Sequence, residues 1–426
     1  MITDGPARKH ETTLESRRSR QPSPQRAVDT PALAFGTGLT ALGVLRSLHG
    51  SGITVYSVCP PDGLPSQSRW YRRAPLLSGA VPEPGQLGEY LAGLPLSRAV
   101  LFPCSDDWVQ AIANLPAHLK DRFPASVADP RVVETMTDKW LFSNFVDCLD
   151  IPRPKTLRVN TIEELQSLDE ACFENMFLKP IDSQEFSRRT RVKAFRLEGR
   201  QHALRIMAQL GRDGINGFPI LLQEFIPGPA SSYYLVDGFV DRNRQIRALI
   251  ARRRLSQYPP MFGNSSRSRT IRLEEVKGAV ESLERMWSTV NYRGIFDAEF
   301  KYDERDGQLK ILEVNARPWW FVEFATRCRM DLCQMAYRDA LGLPVEPAGD
   351  YDIGRSCIYL SYDLAAHWET DRGLGGLFRW VRSCAGVEDI VHRWDDPRPS
   401  LHSAWSSLKN YWRHRDRTIK RGKPLP

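Results

Sequence analysis

The chain has 426 residues and a formal net charge of +8; 42% of its residues are hydrophobic and 26% are charged. This composition is typical of a globular protein of two or three domains, and it excludes a coiled coil, a collagen and wholesale disorder. The positive charge lies at the two ends. Residues 1–30 carry six Lys or Arg and four Asp or Glu, and residues 409–426 carry seven and one. The body between them is close to neutral, so charge does not favour a nucleic-acid-binding protein.

Eight cysteines are scattered along the chain without a Cys-x-x-Cys pair, which favours reduced thiols and a cytoplasmic protein. Residues 1–30 are polar and lack the apolar segment of a secretory signal, so we expect a disordered tail there. The sequence has no run of about 20 apolar residues, which argues against an ordinary membrane span. We expect residues 409–426 to form a solvated basic tail, with contact to an anionic membrane surface or to nucleic acid as the alternatives.

The first folded segment is a strand, a glycine turn, a helix and a second strand. The strands are Ala32–Phe35 and Ile53–Val58, and the turn contains Gly36, Gly38 and Gly43. This order predicts a parallel, doubly wound sheet. A dinucleotide site requires its third glycine three residues after the second, whereas Gly43 follows five residues after Gly38, and no acidic residue ends the second strand. We therefore prefer a turn that packs the first helix to an NAD site.

A third strand, Ala99–Pro103, is followed by polar residues. Ligands of open α/β sheets bind beyond the carboxyl ends of such strands, so Asp106 and Asp107 are candidate substrate residues. The simpler interpretation is that Ser105 or Asp106 caps the next helix.

A β-hairpin is predicted near the middle of the second half of the chain. Residues Ile295–Tyr302 and Leu309–Ala316 alternate between polar and apolar side chains, and the segment between them contains Asp-Gly. A turn centred near Asp306 places Glu299 opposite Glu313, with their Cβ atoms about 5 Å apart.

Two carboxylates in that position repel each other unless a cation lies between them. Mg²⁺ prefers such oxygen ligands, together with phosphate oxygens of a substrate. Asn315 adds an oxygen on the same face as Glu313, and Arg317 adds a guanidinium suited to a phosphoryl group. The alternative, a solvated hairpin face with scattered charges, explains the Glu-x-Asn-x-Arg pattern less well.

A short apolar strand upstream ends in Lys179-Pro180, and it is followed by a polar loop at residues 181–193. A second strand, Pro219–Ile226, leads into a Pro-Gly turn. A buried lysine usually has an anionic partner, and a phosphate is the obvious candidate for Lys179. The alternative is that Lys179 extends its ammonium group to solvent.

In this order the motifs resemble those of the ATP-grasp superfamily of carboxylate–amine ligases, over about residues 31–345. The resemblance rests on Lys139, Leu-Lys179-Pro, Gln223-Glu-Phe-Ile226, Asp-Ala-Glu299-Phe-Lys and Glu313-x-Asn315-x-Arg317. It implies a mixed α/β and α+β fold in which a doubly wound domain (31–135) precedes a two-subdomain ATP-grasp domain (136–345). The small subdomain is expected at about 155–225, and residues 346–426 are expected to form a C-terminal extension that includes the basic tail.

The resemblance also implies roles for particular residues, with ATP and Mg²⁺ (or Mn²⁺) as cofactors. The residues implied to contact ATP are Lys139, Lys179, Ser183, Lys193, Gln223, Glu224, Phe225 and Ile226. The residues implied to hold the metal are Glu299, Glu313 and Asn315. Arg317, Arg254 and Arg253 are the implied catalytic residues, facing the phosphoryl group and the substrate carboxylate.

The implied reaction activates a small-molecule carboxylate as an acyl phosphate and joins it to an amine, or to a thiol. Two other classes stay open at this point: a nucleotide-dependent oxidoreductase that uses the N-terminal domain, and a non-catalytic protein that binds ATP or nucleic acid. A homodimer is the generic expectation for such a protein.

The C-terminal region contains two amphipathic helical stretches, Leu374–Cys384 and Leu401–Trp412, after a strand or short helix at Ile353–Leu364. The second stretch has apolar residues along one face, and we expect this face to pack on the core. The alternative is a membrane-surface role, because aromatic and basic residues occur together.

Overall fold

The computed structural model describes residues 30–75, 80–180, 194–212, 214, 218–259 and 263–406. The candidate residues Ser183 and Lys193 and the basic tail at 409–426 lie outside this part of the chain. No helix in the described ranges is long and apolar enough to cross a membrane.

The first sheet is parallel and has the strand order β2-β1-β3, as the sequence predicted. Strands β1 and β3 consist of buried residues, which is usual for parallel strands covered on both faces. The elements of this region are β1 (Ala32–Phe35), α1 (Leu39–Gly50), β2 (Val55–Val58), α2 (Leu87–Gly93), β3 (Val100–Pro103), α3 (Asp106–Ala113) and α4 (Ala117–Arg122).

Two glycines in the first turn and helix allow close packing. A Cβ atom at Gly36 would lie 2.8 Å from the Cβ atom of Cys104, and one at Gly43 would lie 2.9 Å from Cγ1 of Val322. Gly43 therefore lets α1 pack closely against the segment that begins at Val322. The packing role that we preferred to an NAD site is confirmed.

The second sheet is antiparallel and has the order β4-β7-β5-β6. It occupies the stretch expected to form the small subdomain, and its own core includes the buried residues Leu178, Ile220 and Leu222. The elements from the first sheet to the end of this one are α5 (Pro130–Thr137), α6 (Lys139–Cys148), β4 (Thr156–Val159), α7 (Ile162–Ser167), β5 (Met176–Pro180), β6 (Phe195–Arg196), α8 (Arg200–Arg212) and β7 (Ile220–Glu224).

The third sheet is the largest, and its strand order is β12-β11-β8-β9-β10-β13-β14. The predicted hairpin is β11–β12, with Glu299 opposite Glu313 and Asp297 opposite Asn315. The elements are β8 (Tyr233–Val240), β9 (Ile246–Tyr258), β10 (Asn264–Ile271), α9 (Lys277–Thr289), β11 (Gly294–Asp303), β12 (Gln308–Asn315), α10 (Val322–Arg327), α11 (Leu332–Ala340), β13 (Ser356–Ile358), α12 (Leu360–Thr370), α13 (Leu374–Ser383) and β14 (Glu388–Asp389).

The C-terminal region is built into this sheet rather than attached beside it, because β13 pairs with β10 and β14 pairs with β13. A buried ion pair fastens it to the first sheet. The carboxylate of Asp396 accepts hydrogen bonds from Nε and Nη2 of Arg46 on α1, at 3.1 and 2.9 Å. Both side chains are buried, and the same carboxylate also accepts from the Ser68 hydroxyl at 2.8 Å.

We expect Asp396→Ala to lower the free energy of unfolding by about 3–5 kcal/mol, because it leaves the buried guanidinium of Arg46 with too few partners. Chemical denaturation checks this. The control is Asp395→Ala, which removes an exposed ion pair with Arg393 and is expected to cost about 0–1 kcal/mol. Equal losses for the two variants would contradict the structural role given to Asp396.

Candidate active site

The two carboxylates of the hairpin, those of Glu299 and Glu313, differ in their contacts and in their exposure. Nη2 of Arg254 on β9 lies 2.6 Å from Oε2 of Glu299, whereas Glu313 is exposed. Burial raises the pKa of Glu299, Arg254 opposes this shift, and the charge of Glu313 adds to it. Glu313 lies within electrostatic reach of Lys179 and Arg317.

Lys179 lies on β5 close to these carboxylates. Its ammonium group donates a hydrogen bond to Oε1 of Gln223 at 2.8 Å, so its direct partner in the protein is neutral. The pKa of Lys179 is lowered to about 8, mainly by burial and then by the charge of Lys139, while Glu313 and Glu299 act in the opposite direction. The charge of Lys139 thus disfavours the protonated form of Lys179, and the two hairpin carboxylates favour it.

Hydrogen bonds hold several main-chain groups of residues 224–226, at the end of β7 and just after it. The N–H groups of Glu224 and Phe225 donate to the carbonyls of Lys155 and Asn175 at 2.8 and 2.6 Å. The carbonyl of Ile226 accepts from Nζ of Lys301 at 2.6 Å. These three groups are engaged within the protein, so an adenine contact in this segment would fall on its other main-chain groups.

Arg317 joins the hairpin to the first sheet. Its Nε and Nη2 atoms donate to the two oxygens of Asp106 at 2.8 and 3.1 Å, a bidentate geometry, and Nη2 also donates to Oδ1 of Asn315 at 3.1 Å. The helix cap is Ser105, whose hydroxyl accepts from the N–H of Trp108. Asp106 is thus free of the capping role and faces the hairpin.

A buried charge cluster stands behind Asn315. Nδ2 of Asn315 donates to Asp297 at 2.9 Å, and Arg252 donates to Asp237 at 2.5 and 3.0 Å and to Asp297 at 3.3 Å. The pKa of Asp297 is raised to about 8, mainly by burial and then by the charge of Asp237, while Arg252 and Asn315 oppose the shift. The cluster fixes the Asn315 carboxamide so that its oxygen faces Arg317.

The structure brings together most of the site residues that the sequence suggested. Arg253 and Asp107 do not join them: Arg253 is exposed on the other face of β9, where it donates to the carbonyl of Ser231 at 2.7 Å, and Asp107 is exposed on α3. Hydrogen bonds and electrostatic interactions connect nine of the candidates: Lys139, Lys179, Gln223, Arg254, Glu299, Glu313, Asn315, Arg317 and Asp106.

Sequence reasoning missed Arg252 and Lys301. Side chains alternate along a strand, so Arg252 and Arg254 share one face of β9 and Arg253 lies on the other. The period of two would therefore have paired Arg254 with Arg252, not with Arg253, as a candidate site residue. The same period of two places Lys301 on the face of Glu299, and Lys301 also ends the Asp-Ala-Glu-Phe-Lys motif; its ammonium group reaches the carbonyl of Ile226 after β7.

The oxygen atoms of Glu299, Glu313 and Asn315 are of the kind that Mg²⁺ prefers. Among the described residues, no group of three or more His, Cys, Asp or Glu is arranged to hold a metal ion. A metal ion at this hairpin would therefore complete its coordination with oxygens from a bound ligand or water.

No protein-family model matches the chain. It is 27% identical over 252 residues to a D-aspartate ligase from Enterococcus faecium (strain Aus0004), which is 57% of this chain and 58% of that protein. The chain thus spans less than two thirds of this relative's length.

In fold the chain is similar to the carboxyaminoimidazole ribonucleotide synthase of Aspergillus clavatus complexed with ATP, with a TM-score of 0.59 and 13% identity over 77% and 81% of the two chains. The L-amino acid ligase of Bacillus licheniformis gives a TM-score of 0.54 and 14% identity over 78% and 79%.

The fold is that of ATP-grasp enzymes of the carboxylate–amine ligase type. The mixed α/β and α+β architecture predicted from the ordered motifs is confirmed.

Two buried aspartates on β11 are expected to respond oppositely to substitution. Burial and the charge of Asp237 hold the pKa of Asp297 at about 8, above that of the unfolded chain, so the folded state loses stability as the pH rises from about 4 to about 8. We expect Asp297→Asn to stabilise the protein above pH 8 by at least about 1 kcal/mol, with the gain shrinking toward pH 5. Urea unfolding at several pH values measures this.

The matched variant is Asp303→Asn. Hydrogen bonds from Arg305 and Lys310 hold the pKa of Asp303 far below its usual range, so its charge stabilises the fold at neutral pH and this contribution is lost in acid. Asp303→Asn should therefore destabilise the protein at pH 7. Two variants with the same sign at pH 8.5 would refute this assignment of charges.

Proposed function

We propose that the protein is an ATP-dependent ligase that activates a small-molecule carboxylate and joins it to an amine, releasing ADP and phosphate. The observation that carries this proposal is the electrostatic coupling of Lys179 on β5 to Lys139 on α6 and to the hairpin carboxylates Glu299 and Glu313. Phosphate oxygens complement the lysines, and a divalent cation complements the carboxylates. One Mg·ATP satisfies both needs.

The metal assignment rests on the donor atoms of the hairpin. Glu299, Glu313 and Asn315 would hold Mg²⁺ (or Mn²⁺), which neutralises charge on the phosphates when bound. Arg254 keeps Glu299 in place, and the Asp297 hydrogen bond keeps Asn315 in place. The lysines Lys139 and Lys179 would bind phosphate oxygens from the opposite side.

The nucleotide base would lie along the Gln223–Ile226 segment, close to the hydrogen bond that Lys301 donates to the carbonyl of Ile226. Gln223 has a separate task, since its side chain accepts from Lys179 and donates to the Thr156 hydroxyl at 3.0 Å. This leaves the adenine contacts to main-chain groups of the segment.

The proposed reaction has two steps. An oxygen of the substrate carboxylate attacks the γ-phosphorus of ATP, the bond from that phosphorus to the β–γ bridging oxygen breaks, and ADP leaves. The amine nitrogen then attacks the acyl carbon, phosphate leaves with the bonding electrons of the C–O bond, and the nitrogen loses a proton. The protein contributes mainly by positioning and by stabilising charge.

Arg317 is the residue placed to stabilise charge in both steps. Its guanidinium donates to the carboxylate of Asp106 and to Oδ1 of Asn315. A planar guanidinium binds phosphoryl oxygens through two parallel hydrogen bonds. Asp106 would then act as its anchor from the first sheet, rather than as a direct substrate ligand.

The identity of the substrates is proposed only as a class. D-Aspartate and other amino acids are the first compounds to test, because the relative found by sequence is a D-aspartate ligase. An NAD-dependent oxidoreductase is not favoured, because the first glycine turn serves to pack α1.

We expect the purified protein to release ADP from Mg·ATP when it is supplied with pools of amino acids that include D-aspartate. Glu313→Gln should lower this rate by about 100-fold or more, since it removes a charged metal ligand. A coupled assay for ADP measures the rate. The control is Glu304→Gln in the exposed turn of the same hairpin, which should keep the wild-type rate. A protein that binds Mg·ATP and forms no ADP with any pool would contradict the ligase proposal.

The two neighbouring arginines of β9 should differ sharply. Arg254→Gln should reduce kcat by about 100-fold, because it releases Glu299 and removes a cation from the site. Arg253→Gln should change kcat by less than about twofold, because this side chain lies on the other face of the strand. Steady-state kinetics with the best pool checks both variants, and a comparable loss from Arg253→Gln would show that the side chain reaches the substrate.

A further inference from the structure

Among the described residues, every large apolar side chain that is more than half exposed lies after residue 350. Helix α13 presents Leu374, Phe378 and Val381, which are 87%, 69% and 55% exposed. Residues 398–406 are helical and present Leu401 and Trp405, which are 70% and 68% exposed. We call these five side chains the apolar surface. The sequence-based expectation that the second helical face packs on the core is wrong for Leu401 and Trp405.

The exposure of α13 follows from how the helix is held. Its opposite face is fixed by Trp380, which is buried and donates from Nε1 to Asp363 of α12 at 2.9 Å. Leu374, Phe378 and Val381 follow the spacing i, i+4, i+7 and therefore lie together on the outer face. The apolar face is thus turned away from the core by the anchoring of the helix.

Both parts of the apolar surface are attached to the same helix. The hydroxyl of Tyr359, the residue that precedes α12, lies 3.3 Å from the hydroxyl of Ser403. Asp363 and His367 of α12 contact Trp380 and the carbonyl of Gly376 in α13. The two exposed patches therefore belong to one part of the molecule.

Basic residues accompany this surface. Arg382 is exposed beside the apolar face of α13. The chain continues from the second patch into residues 409–426, which contain seven Lys or Arg and one Asp. Apolar side chains next to clustered positive charge are the two features by which proteins adsorb to bilayers that contain anionic lipids.

We propose that this surface docks the protein on an anionic phospholipid membrane. The aliphatic and aromatic side chains enter the boundary between headgroups and acyl chains, while Arg382 and the basic tail pair with lipid phosphates. A second copy of the chain is a poorer partner, because it brings two basic tails together. A nucleic acid is also poorer, because it leaves Leu374 and Val381 without an apolar environment.

The test is co-sedimentation of the full-length protein with vesicles of phosphatidylcholine alone and of phosphatidylcholine with phosphatidylglycerol. We expect binding to the second kind only, and weaker binding at high salt. Phe378→Ser should weaken vesicle binding by about tenfold, because one large apolar side chain no longer leaves water. Arg382→Gln should weaken it by about fivefold.

The matched control is Ile353→Ser, which replaces a side chain of 56% exposure, like that of Val381, outside the apolar surface. It should bind vesicles like the wild type, and thermal unfolding should show that all variants are folded. Equal losses for Phe378→Ser and Ile353→Ser would overturn the proposal. So would a lack of binding to the anionic vesicles, whether or not the protein binds DNA or self-associates through Phe378. The assay needs no enzymatic activity, so its outcome is independent of the ligase proposal.

Discussion

The pairing of Glu299 with Glu313 across one hairpin is the constraint around which the site is organised. Two carboxylates at this separation repel, and a strand pair that carries them needs positive charge nearby. The protein supplies it unevenly, because Arg254 lies 2.6 Å from Glu299 while Glu313 stays exposed. The hairpin is thereby held in one geometry, with Lys179 and Arg317 within electrostatic reach of Glu313. Carboxylates held in this way offer oxygen atoms of the kind that a metal–nucleotide complex binds.

The charges behind the hairpin explain how the geometry is kept before any ligand arrives. Arg252 is buried between Asp237 and Asp297 and lies over the rings of Trp319 and Phe321, with 5.3 Å to each centroid. One guanidinium cannot neutralise two carboxylates; burial first and the charge of Asp237 second raise the pKa of Asp297. Such a cluster lowers stability relative to an apolar core, yet it orients polar side chains that an apolar core could not hold. The charge cluster that orients the site therefore lowers the free energy of unfolding relative to an apolar core.

The parts of the site that the sequence predicted are the local ones. The hairpin, its register and the opposition of Glu299 and Glu313 follow from the period of two and from a turn sequence, since both act within about twenty residues. The bidentate pair of Arg317 with Asp106 joins residues 211 positions apart, and no local pattern indicates it. The same applies to β13, which joins the large sheet from beyond the expected domain boundary. Within β9, the prediction that includes Arg253 rests on residue type, whereas the period of two places this side chain on the face opposite Arg252 and Arg254.

The C-terminal segment connects the apolar surface to the strand that supports the site. Trp380 of α13 donates to Asp363, and Asp363 accepts from the hydroxyl of Ser266 on β10 at 3.0 Å. The next residue back, Ser265, accepts from Nε of Arg254 at 2.8 Å, and Arg254 holds Glu299. A chain of buried hydrogen bonds thus runs from the exposed helix to a carboxylate of the hairpin. Because β13 also pairs with β10, this strand cannot shift without disturbing both ends. The extension is therefore a structural support of the site as well as the carrier of the exposed surface.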